Sequence, residues 1–277
     1  MQRGASATDE RAVLFFDIDG TLVYHRKSEN GDDRWDYPPS PAVVEAIHEL
    51  RERGHQTFIC TGRPMSFVVP SLRALDLTGI VAAAGACIEI DGEVVEEHII
   101  SADLLAELVD RALHDRVELL FEGGDGCVGL MPAGMTFTLI PGVPTAHSLD
   151  EMAVHVPALR FNKFCYRKST MEGTAFWDFI QRDFCNFNLP GALSEVCLKG
   201  INKGAGVARV LELLGHGTEN TYGFGDSQND LPMLKAVSVP VAMGNAEEAI
   251  KVVASYVTDT VENDGVVSAL KHFGLIA

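Results

Sequence analysis

The chain has 277 residues, long enough for one large domain or two modest ones, and its 47% hydrophobic and 22% charged residues describe a globular protein with a sizeable core. Against 22 Lys and Arg stand 39 Asp and Glu, a formal charge of -17 that repels phosphate backbones and anionic membrane surfaces, so neither nucleic acid nor a membrane is an expected partner. An anionic substrate would need local cations to overcome that field.

The opening MQRGASATDERA has no apolar core of signal-peptide length, and no run of about 18 uncharged apolar residues occurs, so a cytoplasmic protein is expected. Cys60, Cys87, Cys127, Cys165, Cys185 and Cys197 stand far apart without a CxxC pair, mostly in apolar strand-like runs. They are expected to be buried free thiols in a reducing compartment.

In chain order, a strand is expected over 12–16, a charged loop over 27–39 ending in Pro38-Pro39, and a helix over 41–53 with Val44, Ile47 and Leu50 on one stripe and Gly54 as its stop. A strand over 55–60 and a helix over 67–75 follow. The middle then changes character. IEIDGEVVEE, with Asp91-Gly92 between two strand-like runs, signals a hairpin. Helices are expected over 102–114 and 171–183, and strands over 117–121, 127–131, 161–167, 184–189 and 195–198. Strand and helix alternate again near the end: helix 205–214, strand 222–225, helix 230–236, strand 237–243, helix 246–254, strand 256–258 and helix 266–273. Alternation at both ends predicts an α/β fold, a doubly wound, Rossmann-like parallel sheet built from 1–85 and 190–277, with an α+β domain inserted over 86–189.

The strongest local signal is VLFFDIDGTLV, where an apolar strand runs into Asp17, Asp19, Gly20 and Thr21. Ligands of a parallel sheet gather beyond the carboxyl ends of its strands. Two carboxylates two residues apart there can divide nucleophilic attack and proton transfer between them. Taken alone, the same residues also fit a turn in which the aspartates accept backbone N–H bonds. YGFGDSQNDLPML repeats the arrangement and delivers Asp226, Asn229 and Asp230, oxygen donors that suit magnesium, although Asp230 also fits an N-cap. HQTFIC ends in Thr61-Gly62-Arg63, a hydroxyl and loop N–H groups that could hold phosphate oxygens, or a threonine that starts a helix. In KGINKGAG, Lys203 precedes a helix and could neutralise a phosphoryl group, or could simply be solvated.

Together and in this order the four elements resemble the haloacid dehalogenase superfamily of phosphatases. The resemblance implies Asp17 as nucleophile forming an aspartyl-phosphate, Asp19 as general acid and base, Thr61 with Gly62 and Asn229 at the phosphate, and Lys203 as the third-motif lysine. It also implies Mg²⁺ held by Asp17, Asp226 and the main-chain carbonyl of Asp19, with Asp230 behind them. The insertion, with AMGNA around Asn245 and NDGVV around Asp264, looks like the cap of the Cof-type branch with its IIB cap. One departure is visible: Ala84-Gly85-Ala86 stands where many such relatives carry Asn-Gly-Ala.

The expected activity is Mg²⁺-dependent hydrolysis of a small-molecule phosphate monoester, a sugar phosphate or similar metabolite, by a monomer or homodimer. A dehalogenase would not need Asp19 or Asp226. A phosphomutase shares the intermediate, and a non-catalytic phosphate-binding module would be expected to have lost one of these groups. In the insertion, Phe161, Lys163, Tyr166, Arg167 and Lys168 lie in or beside one strand, and alternation puts Phe161 and Lys163 on one face.

Overall fold

The computed structural model describes residues 11–24, 37–188 and 193–277. The N-terminal segment and all but the last three residues of the loop expected over 27–39 lie outside them.

Strand β1 (Val13–Phe16) is buried at every position, the pattern of a strand covered on both faces of a parallel sheet. Helix α1 (Pro41–Glu52) follows, started by the Ser40 side chain accepting from Val43 N. It buries Val43, Ala46, Ile47 and Leu50. Val44, expected on that stripe, is exposed. Gly54 ends the turn at φ +84, a conformation that costs residues with a Cβ. After β2 (Gln56–Cys60), the helix expected over 67–75 is broken. A single turn, Met65–Phe67, is followed by the short α2 (Pro70–Arg73). Pro70 is the cause, since it disfavours helical backbone at Val69, which is extended at φ -67, ψ 158.

Next come β3 (Gly79–Ala82), β4 (Cys87–Ile90) and β5 (Glu93–Glu97). Asp91 and Gly92 make the expected hairpin turn, both at positive φ. The hairpin does not belong with the insertion where the sequence reading put it: β4 pairs antiparallel with β3 and extends the first sheet.

The chain then builds a second sheet. It runs through α3 (Ala102–His114), β6 (Leu119–Glu122), β7 (Cys127–Leu130), β8 (Thr145–Ala146), α4 (Leu149–His155), β9 (Lys163–Arg167), α5 (Lys168–Met171), α6 (Ala175–Asp183), β10 (Phe184–Asn188) and β11 (Leu193–Leu198). The helix expected over 171–183 begins only at Ala175, because Thr174 caps α6 by accepting from Trp177 N; the short α5 before it ends at Met171. β8 and α4 were not expected; at two and seven residues they are too short to carry a period. The strand order is β10-β11-β9-β6-β7-β8. β11 therefore belongs to this sheet, beyond the expected boundary at 189.

The return to the first sheet begins with α7 (Lys203–Leu214), then β12 (Thr221–Gly225), α8 (Leu231–Ala236), β13 (Val239–Ala242), α9 (Glu248–Val253), β14 (Tyr256–Val257) and α10 (Gly265–His272). The first sheet is ordered β14-β13-β12-β1-β2-β3-β4-β5, parallel from β14 to β3. β1 sits at its centre between β2 and β12, so the chain leaves in opposite directions on its two sides. That is the topological switch point, where the strand ends open a crevice. Phe15 stacks on Phe58 and Phe16 on Phe224, tying the three central strands together.

One face of the second sheet, with Leu119, Phe121, Phe164 and Val196, packs on α3 and α6 in a core of its own. The other face carries Glu122, Lys163, Cys165 and Glu195, cross-strand neighbours by register. This face looks onto the loops of the first sheet: Phe67 packs against the small apolar cluster of Leu120, Cys127, Leu139 and Cys165, and Ser66 Oγ donates to Gly123 O at 2.7 Å. Phe161 is not beside Lys163 as alternation suggested. The strand begins only at Lys163, and Phe161 packs against Phe121 on the helical side.

Candidate active site

Three central strands end in the expected residues. β1 delivers Asp17, whose N–H donates to Phe224 O, and the chain then folds back through N–H bonds from Thr21, Leu22 and Val23 to Ile18 O. Gly20, at φ +85, has no room for a Cβ, which would collide with the Asp226 carboxylate. The DxDG turn is thus the condition for Asp226, at the end of β12, to approach Asp17.

Lys203 is the first residue of α7, which starts two residues earlier than expected because Asn202 caps it by accepting from Ala205 N. Its ammonium is 1% exposed and bridges Asp17 Oδ1 at 2.6 Å and Asp230 Oδ1 at 2.5 Å. Burial opposes that charge, but Asp17 and Asp230 hold Lys203 protonated, well above the usual lysine range. Asp230 is doubly engaged, since its Oδ2 accepts from the N–H groups of Asp226 at 2.9 Å and Ser227 at 3.0 Å. It fixes the turn after β12 and holds the lysine in place.

Carboxylate oxygens of Asp17, Asp226 and Asp230 lie within 4.8 Å of one another. With three carboxylates around one ammonium, burial and then mutual repulsion push Asp17 up to about 7 and Asp226 to about 8. Asp226 Oδ1 is buried without a hydrogen-bond partner. An all-oxygen donor set with surplus negative charge and an orphaned carboxylate oxygen fits a hard divalent cation.

Thr61, at the end of β2, is fully buried; its N–H donates to Val81 O and its Oγ1 accepts from Arg63 N at 3.1 Å. That bond leaves the hydroxyl proton available. Gly62 follows, and Asn229 lies beside it, with Nδ2 3.3 Å from where a Gly62 Cβ would be and Oδ1 accepting from Ser227 Oγ. Asp19 stands apart from the cluster, one-third exposed and clasped by Arg63. Asp17, Asp226, Asp230 and Lys203 thus come together, Thr61, Gly62 and Asn229 line an adjoining loop pair, and Asp19 borders them.

Three features lay outside the reading of the sequence. Arg63 was noted only as part of the TGR loop, with no partner. Asn245 donates Nδ2 to Gly20 O at 2.9 Å and accepts from Val261 N at 2.8 Å, tying the turn just before NDGVV to the DxDG turn. Glu195 reaches across from β11 to Gly62. Ala84, at the position of the departure, is buried in the left-handed backbone region at φ +54, with its N–H donating to Thr61 O. All six cysteines are free, and five are buried; Cys185 is half-buried. Among the described residues no helix is long and apolar enough to cross a membrane.

Aspartates and a buried lysine at the switch point of a parallel sheet, roofed by a second sheet inserted between strands, define a capped α/β hydrolase of phosphate esters. The chain belongs to the haloacid dehalogenase-like hydrolases, a family it matches over residues 14–270, and is a phosphoric monoester hydrolase of the Cof-type branch. It is 26% identical to the putative phosphatase YkrA of Bacillus subtilis over 95% of this chain and 98% of that one. It is 27% identical to the pyridoxal phosphate phosphatase YbhA of Escherichia coli over 88% and 92%. Among solved structures, BT1666 of Bacteroides thetaiotaomicron, a phosphatase of the same superfamily, superposes with TM-score 0.78 at 25% identity, covering 99% of this chain and all of that one. The subclass IIB sugar phosphatase BT4131 superposes with TM-score 0.77 at 26% identity, covering 96% and 100%.

Proposed function

We propose that the protein is a Mg²⁺-dependent phosphatase that cleaves small phosphate monoesters through an aspartyl-phosphate on Asp17, in a reducing cytoplasm. The observation that carries this reading is the fully buried Lys203 bridging Asp17 and Asp230. A protonated lysine is held at the carboxylate that would attack, at the end of the central strand. Asp17 displaces the alkoxide in line, forming the Oδ–P bond as the ester P–O bond breaks. Asp19, at the edge of the cleft, gives its proton to the leaving oxygen and then takes one from the water that hydrolyses the acyl-phosphate. Lys203, the Thr61 hydroxyl, the Gly62 N–H and the Asn229 amide hold the phosphoryl oxygens. Asp17, Asp226 and the Asp19 carbonyl would hold Mg²⁺, which would supply further positive charge at those oxygens.

Relatives support a small phosphorylated substrate: besides the pyridoxal phosphate phosphatase, a 5-amino-6-(5-phospho-D-ribitylamino)uracil phosphatase of Bacillus subtilis, YitU, is 25% identical over 94% of this chain and 97% of that one. We divide the chain by its sheets, assigning the hairpin to the core and β11 to the cap. The test is phosphate release from a panel of metabolite monoesters with Mg²⁺ or EDTA, by wild type and Asp17→Asn. Release that EDTA leaves unchanged removes the metal, and release by Asp17→Asn near the wild-type rate removes the nucleophile.

A further inference from the structure

The core-facing side of the second sheet carries a buried ionic cluster that the chemistry at Asp17 does not use. Lys163, 3% exposed, contacts the carboxylates of Glu122 and Glu195, the latter at 2.8 Å. Cys165 Sγ donates to Glu122 Oε2 at 3.1 Å. Register explains the grouping: Glu122 on β6, Lys163 on β9 and Cys197 on β11 form one cross-strand row, and Leu120, Cys165 and Glu195 form the next.

Glu195 stands where the two sheets meet. Its side chain is 1% exposed, yet Oε2 has no hydrogen-bond partner. Its Oε1 lies 2.8 Å from where a Cβ on Gly62 would be, a point that Asn229 Nδ2 also approaches to 3.3 Å. The glycine is what allows the cap carboxylate to reach the phosphate-holding loop. A buried carboxylate oxygen with nothing to accept from is costly, and one beside a substrate loop gains when a ligand donor fills it.

The charge of the cluster selects among ligands. One ammonium lies between two carboxylates, so the cluster leaves a net negative charge on the cap face beside Gly62. Lys163 is neutralised where it stands and is not available to a second phosphate. A leaving group carrying a carboxylate or another phosphate would be buried against Glu195 with no counter-charge, whereas hydroxyl groups can donate to its free oxygen.

We propose that Glu195, held by Lys163, is the specificity-determining residue of the cap, selecting uncharged, hydroxyl-rich leaving groups and rejecting anionic ones. The proposal rests on the phosphatase reading above and narrows it. Binding to a hydrogen-bonding site of this kind discriminates strongly, because the wrong ligand leaves a buried polar group unpaired.

The experiment compares kcat/KM in Mg²⁺ for sorbitol 6-phosphate, for 6-phosphogluconate, which differs chiefly by a terminal carboxylate, and for p-nitrophenyl phosphate, which has no hydroxyls. Wild type is expected to favour the polyol ester over the acid by about tenfold or more. In Glu195→Gln that preference should shrink toward unity, and the ratio of polyol to aryl ester should fall by about tenfold. Glu195→Asp, which keeps the charge on a shorter arm, should still reject the acid while losing rate on the polyol. Equal treatment of polyol and acid by wild type overturns the proposal without any variant having to fold. So does a proportional loss on all three esters in Glu195→Gln. Absence of any Asp17-dependent hydrolysis, even of the aryl ester, would instead remove the phosphatase reading.

Discussion

Arg63 clasps Asp19 with one edge of its guanidinium, Nε to Oδ2 at 2.9 Å and Nη2 to Oδ1 at 2.6 Å. Its third nitrogen, Nη1, donates to Phe67 O at 3.3 Å, so the arginine is anchored on the stretch that contacts the cap. A carboxylate in a bidentate grip is fixed in direction and has both oxygens occupied as acceptors. Asp19 must nevertheless carry a proton if it is the general acid, which makes Arg63 its positioning residue and the grip something that has to loosen during turnover.

Arg63→Lys keeps the charge and removes the fork, and the two are not interchangeable at a bidentate site. The expected result is a fall in kcat of about tenfold or more on alkyl phosphates, whose alkoxide needs a proton. On p-nitrophenyl phosphate, whose leaving group departs without one, the fall should be much smaller. Equal losses on both esters would make Arg63 a structural residue only.

Lys203→Met leaves Asp17 and Asp230 facing each other in a buried site without their shared cation. Removing one partner of a buried ion pair costs about 3–5 kcal/mol, and urea unfolding should show a loss of that order together with loss of activity. Adding Asp230→Asn to the same chain removes one of the stranded charges. Part of the stability should return while activity does not. A double variant no more stable than the single one would mean that Asp230 is not what makes the lysine necessary.

Because Asp17 and Asp226 are pushed up to about 7 and 8 by burial and by one another, the cluster is destabilised whenever both are charged without a cation. Mg²⁺ at a hundred times its Kd should therefore stabilise the fold by about 2.7 kcal/mol. Asp226→Asn is expected to raise Tm in EDTA, where repulsion is relieved, and to abolish the rise that Mg²⁺ produces in wild type. Thermal unfolding with and without Mg²⁺ reads both effects without an activity assay. A variant that keeps the full Mg²⁺ shift would place the ion elsewhere.

Much of this site was legible because its residues sit at strand ends, where an apolar run followed by Asp-x-Asp-Gly or Gly-Asp leaves the geometry few alternatives. Asp17, Asp226 and Thr61 are of that kind. Lys203 was legible only by the order of the motifs, since nothing local says that a lysine at a helix start is buried; what buries it is Asp230, 27 residues on. The Arg63–Asp19 grip and the Glu195 contact at Gly62 join residues 44 and more than a hundred apart. They depend on how loops from different strands, and in the second case different sheets, come to lie together, which no period records. The hairpin at Asp91-Gly92 was read correctly as a hairpin and assigned to the wrong sheet for the same reason: the turn is local, but its partner β3 is chosen by tertiary pairing.

His55 sits just before β2 and accepts, through Nδ1, the N–H of Ala12 at the entry to β1, at 3.0 Å. Only the neutral ring can do this. Burial, helped by the nearby Arg53 charge, lowers its pKa below the ordinary value of 6.5. The unfolded chain therefore takes up a proton near pH 6.5 that the folded chain resists, so the unfolded state binds more protons and stability falls as pH drops through and below that value. The contribution is fully present above 6.5. His55→Gln cannot titrate; it should lower stability at pH 7 by about 1 kcal/mol through the altered hydrogen bond and flatten the decline between pH 7 and pH 5. Urea midpoints across that range for the two proteins check this. Parallel curves would show that the pH dependence arises at other groups.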